Sequence, residues 1–63
     1  MEIKDLRNYI YDKVVVYTED PTGLNEWLDL YKGYLSNAPM EILNLQVKSI
    51  GGKKAGIVDI RVA

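Results

Sequence analysis

The first hydrophobic positions of the chain recur at the spacing of one helical face. Ile3, Leu6 and Ile10 follow one another at intervals of three and four residues. This pattern predicts a short helix over residues 2–11. A helix of this length is marginal on its own, so we expect it to pack against the rest of the domain.

The pattern then changes to that of a strand. The segment Lys13–Glu19 contains Val14-Val15-Val16-Tyr17-Thr18, the β-branched and aromatic types that fit a pleated surface. Three successive valines predict burial on both faces, and therefore an interior position in the sheet. Pro21 and Gly23 end the strand, because proline lacks an N–H donor and glycine accepts a positive φ.

Residues 24–35 fit two different patterns. Read as a helix, they form an apolar stripe of Leu24, Trp27, Leu28, Tyr31 and Leu35. Read as a strand over residues 27–35, they place Leu28, Leu30 and Tyr34 inward. The other face then carries Trp27, Asp29, Tyr31 and Leu35. Gly33 disfavours the helix, and in a strand it would mark a bulge or a close backbone approach.

The second half of the chain reads as a helical turn followed by two strands. Pro39 suits the first position of a helical turn over residues 39–43, with Ser36 or Asn37 as the cap. Residues 45–50 alternate as a strand, and residues 51–56 resemble a hairpin connection. In the last strand, over residues 57–62, we expect Val58, Ile60 and Val62 to face the core and Asp59 and Arg61 to face water.

Length and composition set the class of protein. Sixty-three residues predict one domain, 1–63, and 48% hydrophobic residues predict a folded chain. The chain has no Cys and no His, so it lacks disulfides and the commonest metal ligands. Because so small a core is weakly stable, we expect homo-oligomerisation to add to it. No apolar run is long enough to span a membrane, and the charged start lacks a signal-peptide pattern, so we expect a cytoplasmic protein.

The candidate catalytic groups do not form a site. Glu19, Asp20, Asp29 and Asp59 are the acidic side chains considered for acid–base chemistry, and no spacing pairs them. The Ser and Thr hydroxyls have no His to activate them. We therefore expect a protein that is not an enzyme and that has no cofactor and no metal.

Two groups of residues are candidates for binding. Trp27 and Tyr31, on one face of the strand reading, together with Tyr17, are the residue types enriched at protein interfaces. They predict a protein-binding surface, unless the N-terminal helix covers them. The second group could form a basic edge for nucleic acid, although a net charge of −1 disfavours that partner. Its members are Lys48, Lys53, Lys54 and Arg61.

Several of these segments recur together in one group of proteins. They are Lys13-Val14-Val15-Val16-Tyr17, Tyr31-Lys32-Gly33-Tyr34-Leu35, Pro39-Met40-Glu41-Ile42-Leu43, Val47-Lys48-Ser49-Ile50 and Val58-Asp59-Ile60. In this respect the chain resembles small uncharacterised proteins of Firmicutes and their phages. The resemblance implies a strand rather than a helix at residues 27–35, and a compact antiparallel sheet with helical cover. It implies no activity, because none is established for that group.

Together these observations predict an α+β fold in the order α-β-β-α-β-β. A short N-terminal helix would pack on an antiparallel sheet of about four strands. The alternative is a three-stranded sheet with residues 24–35 as a second helix. The functional hypothesis is a non-enzymatic protein-interaction module from a phage or mobile element, which binds and blocks a host protein. The alternative is a small nucleic-acid-binding domain.

Overall fold

The computed structural model describes residues 1–54 and 56–63, and it describes Lys53 and Lys54 by their backbone alone. The strands are β1 (Lys13–Glu19), β2 (Trp27–Gly33), β3 (Val47–Lys54) and β4 (Ile57–Val62). The helical segments are a first 3-10 helix (Ile3–Leu6), a second 3-10 helix (Leu35–Asn37) and the one-turn helix α1 (Met40–Leu43). The fold is therefore of the α+β type with a dominant sheet, and the alternative of a second helix over residues 24–35 is wrong.

The four strands form one mixed sheet in the order β2-β1-β4-β3. β1 lies in the interior, as predicted, and pairs antiparallel with β2. It pairs in parallel with β4, whereas β3 and β4 are antiparallel. The prediction of an antiparallel sheet is thus wrong at its centre. The segment between β2 and β3 returns the chain to the other end of the sheet before β3 begins, and a period-2 pattern does not encode that direction.

The core lies on one face of the sheet, beneath the helical segments. Its buried strand residues come from the two central strands, and the helical segments cover them. The buried residues are Ile3, Leu6, Val14, Val16, Leu35, Ile42, Leu43, Ile60 and Val62. Val58 packs against this cluster, so the predicted inward face of β4 is confirmed. Val15 is only half-buried, which corrects the expectation that all three valines are buried.

The predicted N-terminal helix over residues 2–11 is reduced to one 3-10 turn. The chain before it is held beside β3, since the Val47 N–H donates to the Met1 carbonyl at 2.8 Å and Glu2 forms a bridge with Gln46. This pairing keeps the first residues extended. One turn is then sufficient to bury Ile3 and Leu6, and the cost of nucleating a longer helix is not offset by further burial.

The second half of the chain also differs from its prediction in detail. Pro39 precedes α1 as its extended cap residue instead of occupying its first turn. Ser36 and Asn37, expected to cap α1, lie in the second 3-10 helix. β3 continues through Gly51 and Gly52 to Lys54, so the predicted connection over residues 51–56 is shorter than expected. Irregularities in the register between β3 and β4 accommodate the extra residues.

Candidate functional site

The sheet face opposite the core carries no helical segment within the described residues, and we call it the open face. Strand alternation brings to it the residues that flank the buried positions of β1 and β4. β2 adds the side chains that pair with the same side of β1. The open face comprises Lys13, Val15, Tyr17, Glu19, Trp27, Asp29, Lys32, Ser49, Ile57, Asp59 and Arg61. It therefore mixes aromatic, acidic and basic groups on one face of the sheet.

Four of these side chains make an ordered group, which we call the aromatic–arginine cluster: Tyr17, Glu19, Trp27 and Arg61. The rings of Tyr17 and Trp27 meet edge to face, with 5.2 Å between centroids and an interplanar angle of 82°. The Arg61 guanidinium carbon lies 4.7 Å from the centre of the Trp27 ring, within the range of a cation–π contact. Arg61 Nη2 also donates to Glu19 Oε1 at 2.5 Å. Each side chain is thus held by at least one other.

The strand register explains why these four residues meet. Tyr17 and Arg61 are neighbours across the parallel β1–β4 pair. Glu19 and Trp27 are opposite each other across the antiparallel β1–β2 pair. Residues that are far apart in the sequence therefore lie side by side only because β1 is flanked by both β2 and β4. The Arg61 Nε atom is buried and has no hydrogen-bond partner among the described residues, so stacking and a single ion pair hold this side chain.

A shallow depression of about 300 Å³ lies beside the cluster. Val15 forms its apolar part, Tyr17 and Trp27 its aromatic part, and Asp29 and Asp59 carry the acidic groups. Across this region Tyr17 pairs with Asp29, and Val15 pairs with Asp59. Apolar surface next to two carboxylates suits the aliphatic stem and charged head of a lysine or arginine side chain.

β3 approaches Asp59 without a side chain at Gly51. A Cβ atom at Gly51 would lie 3.2 Å from the Cβ of Asp59, closer than an ordinary contact. Glycine at this position therefore leaves the Asp59 carboxylate clear of β3. We take this as the reason that the acidic side of the depression stays accessible.

Tyr31 does not belong to this surface, which corrects the predicted pairing with Trp27. It is opposite the buried Val16 and packs against the core. Its hydroxyl donates to the Tyr34 carbonyl at 2.7 Å. The other residues expected inward are not buried, since Leu28 is 42% exposed, Leu30 37% and Tyr34 44%. Leu28 nevertheless lies on the core side of the sheet, because it is opposite Thr18. Leu35, expected on the face of Trp27, is buried in the core. A bulge at Leu30 puts Tyr31 on the opposite face from Trp27.

The predicted basic edge is only partly described. Lys48 is exposed and lies at a register shift of β3 between Val47 and Ser49. Arg61 is engaged with Glu19 and Trp27. The side chains of Lys53 and Lys54 lie outside the described residues. The open face also carries the carboxylates of Glu19, Asp29 and Asp59, which would repel a phosphate backbone.

The acidic residue Asp20, considered as a candidate with Glu19, has a structural role. Its carboxylate accepts from the Thr22 hydroxyl at 2.7 Å, from the Thr22 N–H at 2.9 Å and from the Asn25 N–H at 3.1 Å. The Thr22 hydrogen bonds in particular hold the pKa of Asp20 below its usual range. The carboxylate therefore closes the loop between β1 and β2.

The sequence pattern indicates Trp27, Tyr17 and Arg61, but it assigns them to two different sites. Asp29 and Asp59 are candidates without a spacing that pairs them, since they come from opposite sides of β1. The sequence signal that could have identified Asp29 and Asp59 is the outward position of each in a strand of alternating apolar and polar residues. Within the described part of the chain, no three acidic side chains are arranged to hold a metal ion, and no helix is long and apolar enough to cross a membrane.

Comparison of the chain with models of known protein families, with curated proteins and with solved structures gave no match. A function for this chain must therefore be inferred from the geometry of the open face.

Proposed function

We propose that this chain is a non-enzymatic protein-interaction module whose open face binds a basic side chain of a partner protein. The observation that carries the proposal is the aromatic–arginine cluster, which is ordered at the surface by contacts within the chain. Tryptophan, tyrosine and arginine are the residues that most often dominate binding energy at interfaces. Because these side chains are already restrained, they would lose less rotamer entropy when a partner binds.

The chemistry of the depression argues for a cationic partner group. Asp29 and Asp59 supply negative charge on both sides of apolar surface from Val15 and Trp27. Lys32 offsets part of the charge of Asp29, with 3.5 Å between Nζ and Oδ2, but both side chains of this pair are largely exposed. Such a pair contributes little and is readily exchanged for a better-placed cation. A lysine or arginine stem would lie on Val15, and its head would reach the carboxylates.

A module of this kind needs no catalytic residues, because covering part of a partner's surface is sufficient to block it. This is the mechanism that we infer for a protein of phage or mobile-element origin acting on a host protein. Self-association is part of the same proposal, as the small core favours an oligomer. Sedimentation of the purified chain over a range of concentrations would test this part, and a monomer throughout would contradict it.

The test is capture of the partner by the tagged chain from a bacterial lysate treated with nuclease, followed by affinity measurement with the purified partner. Trp27→Ala should weaken binding by about 2 kcal/mol or more, which is about 30-fold. Asp59→Asn keeps the shape of the side chain and removes its charge, and should also weaken binding. Met40→Ala, at an exposed position on the helical side, is the matched control and should bind normally.

Unfolding of each variant in urea separates binding from folding. If Trp27→Ala unfolds the chain, Trp27 belongs to the stabilising structure and its proposed role as an anchor is wrong. If both Trp27→Ala and Asp59→Asn fold and bind like the parent, the open face is not the binding surface.

The nucleic-acid alternative makes a different prediction. Binding would fall steeply with salt, and Lys53→Glu with Lys54→Glu would abolish it. Unchanged affinity for single-stranded DNA in that double variant would contradict the alternative. Capture of a partner from an untreated lysate but not from a nuclease-treated one would favour this alternative over the protein-interaction module.

A further inference from the structure

A second cavity, separate from the open face, lies where the chain leaves the first 3-10 helix. It has a volume of about 240 Å³, and we call it the Arg7 cavity. Its apolar part is formed by Ile10 and the buried Leu35, and the rings of Tyr11 and Tyr34 line its sides. The Tyr11 hydroxyl donates to the Asn8 carbonyl at 2.8 Å, which holds that ring in place.

The polar groups of this cavity are suited to an anion. Arg7, Asn8 and Ser36 line it, and no carboxylate does so among the described residues. The Arg7 guanidinium makes no ion pair or side-chain hydrogen bond with another described residue. A second cation lies close by, because Lys13 Nζ is 6.0 Å from the centre of the Tyr34 ring.

We propose that the Arg7 cavity binds a small organic carboxylate with an apolar body. The planar guanidinium of Arg7 matches a carboxylate in a bidentate arrangement, and Ser36 and Asn8 offer further donors. The two tyrosine rings and Leu35 would enclose the apolar body. The volume of about 240 Å³ is below the usual range of ligand pockets, which begins at about 300 Å³, so the ligand is of amino-acid size. A free organic acid and the carboxyl terminus of a peptide share this chemistry.

The experiment is an NMR titration of the full chain, followed through its backbone amides. Phenylacetate should give saturable shifts at residues 7–11 and 34–36. Phenylacetamide has the same shape without the charge. Its affinity should be lower than that of phenylacetate by a factor of about ten or more. Inorganic phosphate carries charge without the apolar body and should not saturate these shifts. Equal effects of phenylacetate and phosphate would reduce the cavity to a nonspecific cationic patch and overturn the proposal.

Arg7→Gln should weaken phenylacetate binding about tenfold or more, because it removes the charged donor. Lys4→Gln removes an exposed cation from the adjacent 3-10 helix, where Lys4 pairs with Glu2 outside the cavity, and is the matched control. Trp27→Ala should leave this binding unchanged, which separates the cavity from the proposed function of the open face. Normal binding by folded Arg7→Gln, or shifts confined to the open face, would overturn the proposal.

Two further ligands distinguish the sources. A short peptide that ends in phenylalanine, with a free carboxyl terminus, is compared with the same peptide amidated. Tighter binding of the free peptide than of phenylacetate would assign the cavity to peptide termini. Tighter binding of phenylacetate would assign it to free organic acids. In both cases the amidated peptide should bind more weakly than the free one.

Discussion

At the end of β2, Gly33 has a φ of +141°, which side chains with a Cβ rarely adopt. The space above it is also occupied, because a Cβ atom there would lie 3.1 Å from the Tyr31 hydroxyl oxygen. That hydroxyl donates to the Tyr34 carbonyl. Glycine therefore allows Tyr31 to fold back over the backbone and close the end of the strand.

Gly33→Ala should lower the free energy of unfolding by about 1–3 kcal/mol, as it adds both strain and a close contact. Gly52→Ala is the matched control, since Gly52 has an ordinary φ and a Cβ atom there would meet no atom within 4 Å. Urea unfolding of the two variants checks this prediction. Equal effects at both positions would show that neither the backbone conformation nor Tyr31 constrains Gly33.

The loop between β1 and β2 depends in a similar way on one carboxylate. Asp20 accepts three hydrogen bonds within residues 20–25. Its pKa is lower in the folded chain than in the unfolded chain, chiefly because Thr22 donates to the charged form. The resulting stabilisation is present above the ordinary pKa of aspartate and is lost as the pH falls through the lowered pKa.

Thr22→Val should raise the pKa of Asp20 toward its ordinary value, because the variant removes the hydroxyl donor and keeps the side-chain shape. An NMR titration of the Asp20 carboxyl carbon in both chains measures this shift. An unchanged pKa in Thr22→Val would assign the lowering to the backbone donors alone.

At the scale of the element, a bulge determines which face each residue of β2 occupies. Val16 pairs with Tyr31 and the next residue, Tyr17, pairs with Asp29, so Leu30 is left without a partner. Trp27 and Asp29 therefore face outward, whereas Tyr31 faces the core. Strict alternation would place Trp27 and Tyr31 on one face, and one unpaired residue separates them.

Deletion of Leu30 should preserve these faces, because it removes the unpaired residue and leaves a regular ladder. We expect the free energy of unfolding to change by about 1 kcal/mol or less. Deletion of Leu28 is the comparison: it also removes the extra residue, but it places Leu30 opposite Tyr17 and turns Asp29 toward the core side opposite Thr18, so it should destabilise the chain more. Contacts between Tyr17 and Trp27 in NMR spectra check the outcome. Loss of these contacts on deletion of Leu30 would contradict it.

At the scale of the whole molecule, the sheet order joins distant parts of the chain. β4 lies between β1 and β3 and pairs with both of them. Ile60 is fully buried and has Val16 as its neighbour on one side and Ile50 on the other. A core supplied by so few residues leaves about 3–5 kcal/mol of net stability in a domain of this size.

Ile60→Ala should therefore leave the chain largely unfolded, since such a truncation costs about 2–5 kcal/mol at a buried site. Ile60→Val should cost about 0.5–1.5 kcal/mol and remain folded. Ile50→Ala, at the 46% exposed partner position on β3, should cost less than Ile60→Ala. Circular dichroism and urea unfolding measure all three. A folded Ile60→Ala variant would indicate a core that is more stable than its size predicts.

The local hydrophobic pattern was sufficient to predict side-chain orientation where every second residue of a strand faces the core. The outward positions of Asp59 and Arg61 and the inward positions of Ile60 and Val62 followed from alternation alone. The strand Lys13–Glu19 followed from its β-branched residues, and its bounds match those of β1. The face of Tyr31 could not be predicted in this way, because the bulge at Leu30 is a response to pairing with β1.

The sequence by itself determined an α+β chain with its first strand in the interior of the sheet, because residue type and spacing encode local conformation and burial. Only the tertiary structure decided that β1 and β4 run in parallel, since strand direction depends on the path of the intervening chain. That pairing places Arg61 beside Tyr17, and the β1–β2 pair adds Trp27 and Asp29. The candidate site thus consists of residues brought together by long-range pairing, which no local pattern specifies.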